Sequence, residues 1–344
     1  MRRPLGTSAR TIRAAPLLLI DLRTAEGIVG RAYVFCYDAL GQRMLGDVLG
    51  DVAAVVAGVP LDAGGVSALL DRRYRLLGAR GALGMALAGV DVAVWDALAQ
   101  AAGVALSRYL GAEPVPVPAY NSNGLGLIGA GAAAAEAVEL VDEGYRAIKL
   151  RLGYPTLEED VSTVRAVRDA VGRKIEILVD YNQLLTADEA TRRCLALDAH
   201  GLGWIEEPVV HDDFVSSAAL AKALSTPIQL GENLLGPHAL RQALDARACD
   251  LVMFDLQRIG GVSGWCTAAR IAADAQMPVS NHLFPEVSVH LLAATPTRDR
   301  LEMVDWAAPI LEAPLIVRDG MVIPSDAPGT GVTWNERAVK KYLV

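Results

Sequence analysis

Cysteine is scarce in this 344-residue chain, and none of its four cysteines forms a CxxC pair. Cys36, Cys194, Cys249 and Cys266 lie far apart, which excludes a disulfide-stapled scaffold and fits buried free thiols in a reducing compartment. Positive charge is also short. Asp and Glu number 40 against 32 Lys and Arg, a net −8, and no basic stripe offsets the excess, so nucleic acid is excluded as a partner. No long hydrophobic run follows Arg2 and Arg3 either. The apolar stretch there is PLLLI, ended by Asp21, too short for a signal-peptide core and far too short for a membrane span. A cytoplasmic protein without a membrane partner is expected. Low-complexity tracts and short repeats are absent, and the glycines of RIGGVSGW match neither GxGxxG nor a P-loop, so no nucleotide is assigned to them.

What is present is the 52% hydrophobic, 21% charged composition of an ordinary soluble enzyme, on a chain long enough for two domains or for a barrel with an added lobe. LLLIDLRT and VGRAYVFC read as two strands of a hairpin turning at Gly27. Helical spacing follows over 43–57, 66–77 and 83–102. After the proline-punctuated GAEPVPVPAY the pattern changes to strand and helix in alternation. Eight strand candidates follow: VPAYNS, YRAIKLRLG, IEILVDYN, GWIEEPVV, PIQLGEN, DLVMFDLQ, MPVSNH and RLEMVDW. The fold class predicted is α/β, a modified (β/α) TIM-type barrel with an α+β capping domain. Its expected boundaries are a capping domain over 1–114, the barrel over 115–307 and a C-terminal segment over 308–344 that returns to the cap.

Three of these strands end in an acid: Asp180, Glu206 and Glu232, each 26 residues from the next. A βα unit takes about 25 to 30 residues, so one carboxylate per unit converges on the barrel face where such folds place their chemistry. Each acid alone could merely cap the following helix. Together, with no cysteine nearby, three hard oxygen ligands suit Mg²⁺. Alternation along YRAIKLRLG puts Lys149 and Arg151 on one face and Ile148, Leu150 and Leu152 on the other. The bland reading of the two cations is a solvated strand end; the neighbouring acids favour a place in the site. His282 and Asp255 end adjacent strands, so the Asp can fix the imidazole tautomer and leave Nε2 to take a proton. Glu302 ends the last strand, where a raised pKa would let its carboxyl donate a hydrogen bond. These groups point to a small carboxylate substrate, chelated to Mg²⁺, that loses its α-proton to give an enediolate stabilised by the metal and Lys149. The loop cluster His211, Asp212 and Asp213 lacks ligand spacing and reads as solvated. Glu207 is expected to point away from Glu206 and pair with a basic neighbour.

The stretches LLLIDLRTAEGIVG, LAGVDVAVWDAL, PVPAYNS, GYRAIKLRLGYP, ILVDYNQ, WIEEP, GENLLGP, RIGGVSGW, NHLFPEVSVHLLAATP and KYLV make the chain similar to the mandelate racemase subgroup of the enolase superfamily over nearly its whole length. The resemblance implies Mg²⁺ on Asp180, Glu206 and Glu232, a His282–Asp255 base and a Glu302 hydrogen bond to the substrate carboxylate. It further implies Ser122 and Asn182 as polar substrate contacts, a substrate-covering loop over residues 5–12 that includes Leu5 and Ile12, and a homo-oligomer, an octamer in the family. The resemblance also implies a first cap strand ahead of the covering loop, so that either Met1 follows a misassigned start or the cap manages with one strand fewer. The family racemase carries Lys-x-Lys where this chain has Lys149 and Arg151, and arginine is a poor base. A hydroxy-acid or acid-sugar dehydratase using one base is therefore preferred; an α-hydroxy acid racemase or epimerase is the alternative, and a retired enzyme serving as a binding or structural protein is a minor third.

Overall fold

The computed structural model describes residues 1–8 and 10–344; Ala9, within the expected 5–12 loop, lies outside the described residues. The chain opens with β1 (Leu5–Gly6) and β2 (Thr11–Ile12), an antiparallel pair with Leu5 opposite Ile12. A longer hairpin follows in β3 (Leu17–Arg23) and β4 (Val29–Phe35), the two strands read from the sequence. Helices α1 (Ala39–Val56), α2 (Ala63–Tyr74), α3 (Gly81–Ala101) and the short α4 (Leu106–Tyr109) complete the cap. The first two begin ahead of the expected residues 43 and 66 because Asp38 and Asp62 cap them, accepting from the Gly41 and Gly65 amides. By length and composition α3 is apolar enough to cross a membrane, yet Ala86, Val90, Ala93, Val94 and Ala97 are buried in the protein's own core. It is the helix on which the cap packs.

The alternating half forms a parallel barrel. Its elements are β5 (Val117–Asn121), α5 (Ala130–Asp142), β6 (Ala147–Arg151), α6 (Leu157–Val171), β7 (Glu176–Asp180), α7 (Ala187–Leu197), β8 (Ile205–Glu206) and α8 (Phe214–Ala223). They continue with β9 (Ile228–Leu230), α9 (Pro237–Asp245), β10 (Leu251–Asp255), α10 (Leu256–Ile259), α11 (Gly261–Asp274), β11 (Val279–His282), α12 (Pro285–Ala293) and β12 (Leu301–Met303). The eight strands run in the order β11-β10-β9-β8-β7-β6-β5-β12. Between β11 and β12 the ladder shrinks to a single bridge, Val279 to Arg298. The Asn281 side chain closes that seam: its Oδ1 accepts from the Glu302 amide at 2.7 Å, and its Nδ2 donates to the Leu283 carbonyl at 2.8 Å.

Strand alternation sorts the side chains. Ile148, Leu150 and Leu152 join the main apolar core beneath the helices, while Tyr120, Ala147, Leu178 and Trp204 fill the barrel floor. One residue pair further along each strand, Lys149, Asp180 and Glu206 stand above that floor. The last stretch, with β13 (Met321–Val322) and α13 (Glu336–Tyr342), runs back to the cap: Thr330 N and Oγ1 donate to Asp96, and Trp334 Nε1 to Asp21. Cap and barrel also meet through Gln257, which accepts from the Phe35 amide and donates to its carbonyl. A further tie sits at α11, which has no cap of its own. Asp91 of α3 supplies one, accepting from the Ser263 amide at 3.0 Å and its hydroxyl at 2.6 Å. Gly261 makes room, since a Cβ there would lie 2.4 Å from Asp91 Oδ2.

Candidate active site

Neighbouring strands in register carry the three acids to one place. Asp180 ends β7 opposite Glu206 of β8, and Glu232 follows β9 after Gly231. That glycine has φ +131, and a Cβ on it would lie 2.3 Å from the Met253 carbonyl, so only glycine lets the chain turn tightly enough to bring Glu232 in. One ligand oxygen from each acid lies within 4.8 Å of the others. Asp180 is fixed from behind by Asn182, whose backbone and side-chain nitrogens donate to its two oxygens at 2.7 and 3.0 Å.

Charge in this group is crowded. Lys149 is fully buried and reaches Glu206 at 2.7 Å, Glu302 at 2.9 Å and Asp180 at 3.6 Å. Even so, burial and the adjacent Asp180 push Glu206 up to about 8, with Lys149 opposing. Such mutual repulsion is what a divalent cation relieves, and three carboxylates with no sulfur or imidazole among the converging oxygens form a hard donor set suited to Mg²⁺.

On the far side His282 Nδ1 lies 2.6 Å from Asp255 Oδ2. The other oxygen of Asp255 caps α10, accepting from the Gln257 and Arg258 amides, so the carboxylate cannot swing away. His282 Nε2 faces the triad, 3.3 Å from Glu232. Burial alone would lower the imidazole pKa, but Glu232 and Asp255 raise it to about 9. Opposite, Arg151 donates to Ser122 Oγ at 3.0 Å and lies 3.4 Å from Asp180. Its Nε and Nη1 have no hydrogen-bond partner although buried, and neither has Asn182 Oδ1. Orphaned buried donors and acceptors cost free energy, and here they border one cleft of about 210 Å³ whose walls also include Leu5, Ile12, Phe35 and Trp306. The structure thus gathers every singled-out residue: Asp180, Glu206, Glu232, Lys149, Arg151, His282, Asp255, Glu302, Ser122, Asn182, Leu5 and Ile12.

Two readings differ from expectation. Glu302 is not raised: burial pushes it up, but Lys149 and His282 bring it down to about 2, and its Oε2 accepts from the Leu283 amide at 2.7 Å. It is an anion that accepts hydrogen bonds and has none to donate. Glu207 has no basic partner among the described residues. It is buried, with Oε2 accepting from Asn233 Nδ2 at 2.7 Å, and that same amide nitrogen reaches Glu232 at 3.2 Å. Its φ of +36 ends the strand there and defeats the alternation argument. His211 of the HDD loop pairs with Gln183 at 2.9 Å, outside the triad.

Residues 1–111 match the N-terminal domain of mandelate racemase / muconate lactonizing enzyme, and residues 132–338 match the enolase C-terminal domain-like family. The chain belongs to the enolase superfamily. Among curated enolase-superfamily relatives it is 31% identical to L-talarate/galactarate dehydratase of Salmonella typhimurium, across 94% of this chain and 81% of that protein. Among solved structures it resembles an enolase from alpha pretobacterium bal199 with bound magnesium, at 45% identity, TM-score 0.97, and coverage of 99% of this chain and 95% of that one. An enolase from Bradyrhizobium complexed with magnesium and mandelic acid is 39% identical with a TM-score of 0.94, covering 100% and 95%. Superfamily membership makes this chain a lyase or isomerase and Mg²⁺ its metal. Tyr37, Arg258, Glu207 and Asn233, which sequence reasoning did not place in the site, also border it or its three acids. Arg258, Glu207 and Asn233 had a legible signal, lying three residues past Asp255 and directly after Glu206 and Glu232; Tyr37 had none.

Proposed function

We propose that the protein is a hydroxy-acid or acid-sugar dehydratase that removes the substrate α-proton from one face only. The observation that carries this reading is the pair of groups flanking the triad: a His–Asp dyad on one side and, on the other, a buried arginine in place of a second base. Asp180, Glu206 and Glu232 would hold Mg²⁺, which would supply electrostatic stabilisation for the negative charge that develops on the substrate carboxylate. His282 Nε2 takes the α-proton, with Asp255 fixing the ring and its tautomer. Lys149 adds fixed positive charge beside the resulting enediolate, in a buried setting where such charge is most effective. The protonated His282 then returns its proton to the departing β-hydroxyl. The C–O bond breaks, water leaves, and the enol product tautomerises to a 2-keto acid.

Arg151 is a fixed cation 3.4 Å from Asp180, and a guanidinium is a poor base. Its Nη1, which has no hydrogen-bond partner, is the donor for a substrate oxygen, with Ser122 holding Nη2 and Asp180 facing Nε. Glu302 keeps Lys149 in position and anchors the Leu283 backbone. The Salmonella dehydratase relative supports elimination over racemisation.

The test is proton exchange in deuterated water together with product identity, run over a panel of hydroxy acids and acid sugars. His282→Asn abolishes α-deuteration and 2-keto acid formation if the assignment is right. Exchange that persists unchanged in His282→Asn places the base elsewhere. Efficient interconversion of both enantiomers by the wild type, without loss of water, replaces this reading with a racemase.

A further inference from the structure

Tyr37 and Arg258 border the cleft but have no part in the chemistry above. Tyr37 lies two residues past β4 at φ +64, a conformation that side chains other than glycine rarely hold unless their surroundings impose it. Its ring packs on Phe35 with centroids 4.4 Å apart. Its hydroxyl accepts from Arg258 Nη2 at 2.6 Å, and its carbonyl accepts from Arg10 Nη2 at 2.8 Å. Arg10 immediately precedes β2, so one contact of Tyr37 belongs to the small hairpin over the cleft and the other to the barrel.

Arg258 continues the path. Its Nη1 donates to the Glu232 carbonyl at 3.4 Å, and its own backbone amide donates to Asp255 Oδ1 at 3.0 Å. The guanidinium also lies over the Tyr37 ring, 5.5 Å from its centroid. A single side-chain pair therefore joins the cap loop to the residue that supplies the third carboxylate of the triad. Neither side chain reaches the converging carboxylate oxygens. What they hold is the backbone carrying one of them.

We propose that Tyr37 and Arg258 are positioning residues that fix the backbone of Glu232 and so make metal affinity depend on the seating of the cap. This rests on the assignment of Glu232 as a metal ligand. Groups that orient ligands from behind typically change metal affinity about 10- to 100-fold when removed, and an effect passed through a backbone carbonyl belongs at the lower end.

The experiment is calorimetric Mg²⁺ titration of the full chain as wild type, Tyr37→Phe, Arg258→Lys and the double variant, with melting temperatures measured in chelator. Tyr37→Phe removes one oxygen and no charge, and Arg258→Lys keeps the charge while losing the two-armed donor. Each single variant is expected to bind Mg²⁺ roughly tenfold more weakly. The double variant is expected to be no worse than the weaker single one, because both act through one contact. Unaltered affinity in Tyr37→Phe overturns the proposal, whether or not the melting temperature falls, and so do losses that simply add. Asp180→Asn serves as the control for the underlying assignment: if it leaves Mg²⁺ binding intact, the triad is not the metal site and the proposal falls with it, whereas loss of binding in Asp180→Asn alone isolates the failure to Tyr37 and Arg258.

Discussion

Replacing Lys149 by Met tests the electrostatic account of the site most directly. The ammonium is fully buried and lies 2.7, 2.9 and 3.6 Å from Glu206, Glu302 and Asp180. Methionine preserves much of the volume but leaves buried carboxylates facing one another. Removing one partner from a buried ion pair costs about 3–5 kcal/mol. At about 2 °C per kcal/mol for a protein of this size, that lowers the melting temperature of the metal-free protein by about 6–10 °C. The loss depends on pH in a definite direction. Glu206 is raised from 4.5 to about 8 in the fold, so protonation favours the folded state: that stability is fully present below the unfolded value and is lost as pH rises through the folded one. With the lysine gone Glu302, which it holds down to about 2, loses a stabilisation that is present above the unfolded carboxylate value, and the folded pKa of Glu206 rises further, so the deficit in chelator is expected already at pH 5 and to grow as pH rises past about 8. Mg²⁺ at a hundred times its dissociation constant returns about 2.7 kcal/mol to any form that binds it. Thermal melts across this pH range, with and without Mg²⁺, measure all of this. A deficit independent of pH, or a melting temperature within about 2 °C of wild type, would refute the claim that Lys149 neutralises this cluster.

Arg151→Lys places a titratable amine where the fixed guanidinium stands, and deuterium exchange from the second substrate face is expected to appear in nuclear magnetic resonance; continued one-face exchange shows that the shorter side chain fails to reach. Gly231→Ala forces a Cβ to within 2.3 Å of the Met253 carbonyl at φ +131. Calorimetry is expected to show weakened Mg²⁺ binding, because the turn that delivers Glu232 must shift. Asn281→Ala leaves the buried Glu302 amide without its acceptor, a loss of about 1–3 kcal/mol readable by denaturant unfolding.

Much of this architecture was legible because alternation is a local property. AIKLR alone assigns Ile148 and Leu150 to the helix side and Lys149 and Arg151 to the interior, and the eight barrel strands stand out as short runs separated by helical spacing. Helix starts were misjudged by three or four residues at α1 and α2, where the capping Asp38 and Asp62 precede any apolar periodicity. Glu207 misled because its positive φ breaks the strand whose alternation was being read. The ionisation of Glu302 was out of reach for a different reason: it is set by Lys149, which no spacing rule places 2.9 Å away. Tyr37 and Arg258 meet across 221 positions, and nothing local in either segment announces the other.

The Asp91 carboxylate has a consequence for how the molecule assembles. The opening amides of α11 find their acceptor 172 residues upstream, on a helix of the other lobe, and Gly261 leaves a notch that this carboxylate fills. A barrel separated from its cap would begin α11 with bare donors and a hole beside them. The cap is therefore part of the barrel's folding unit, and amide hydrogens at the start of α11 should exchange only when the two lobes part.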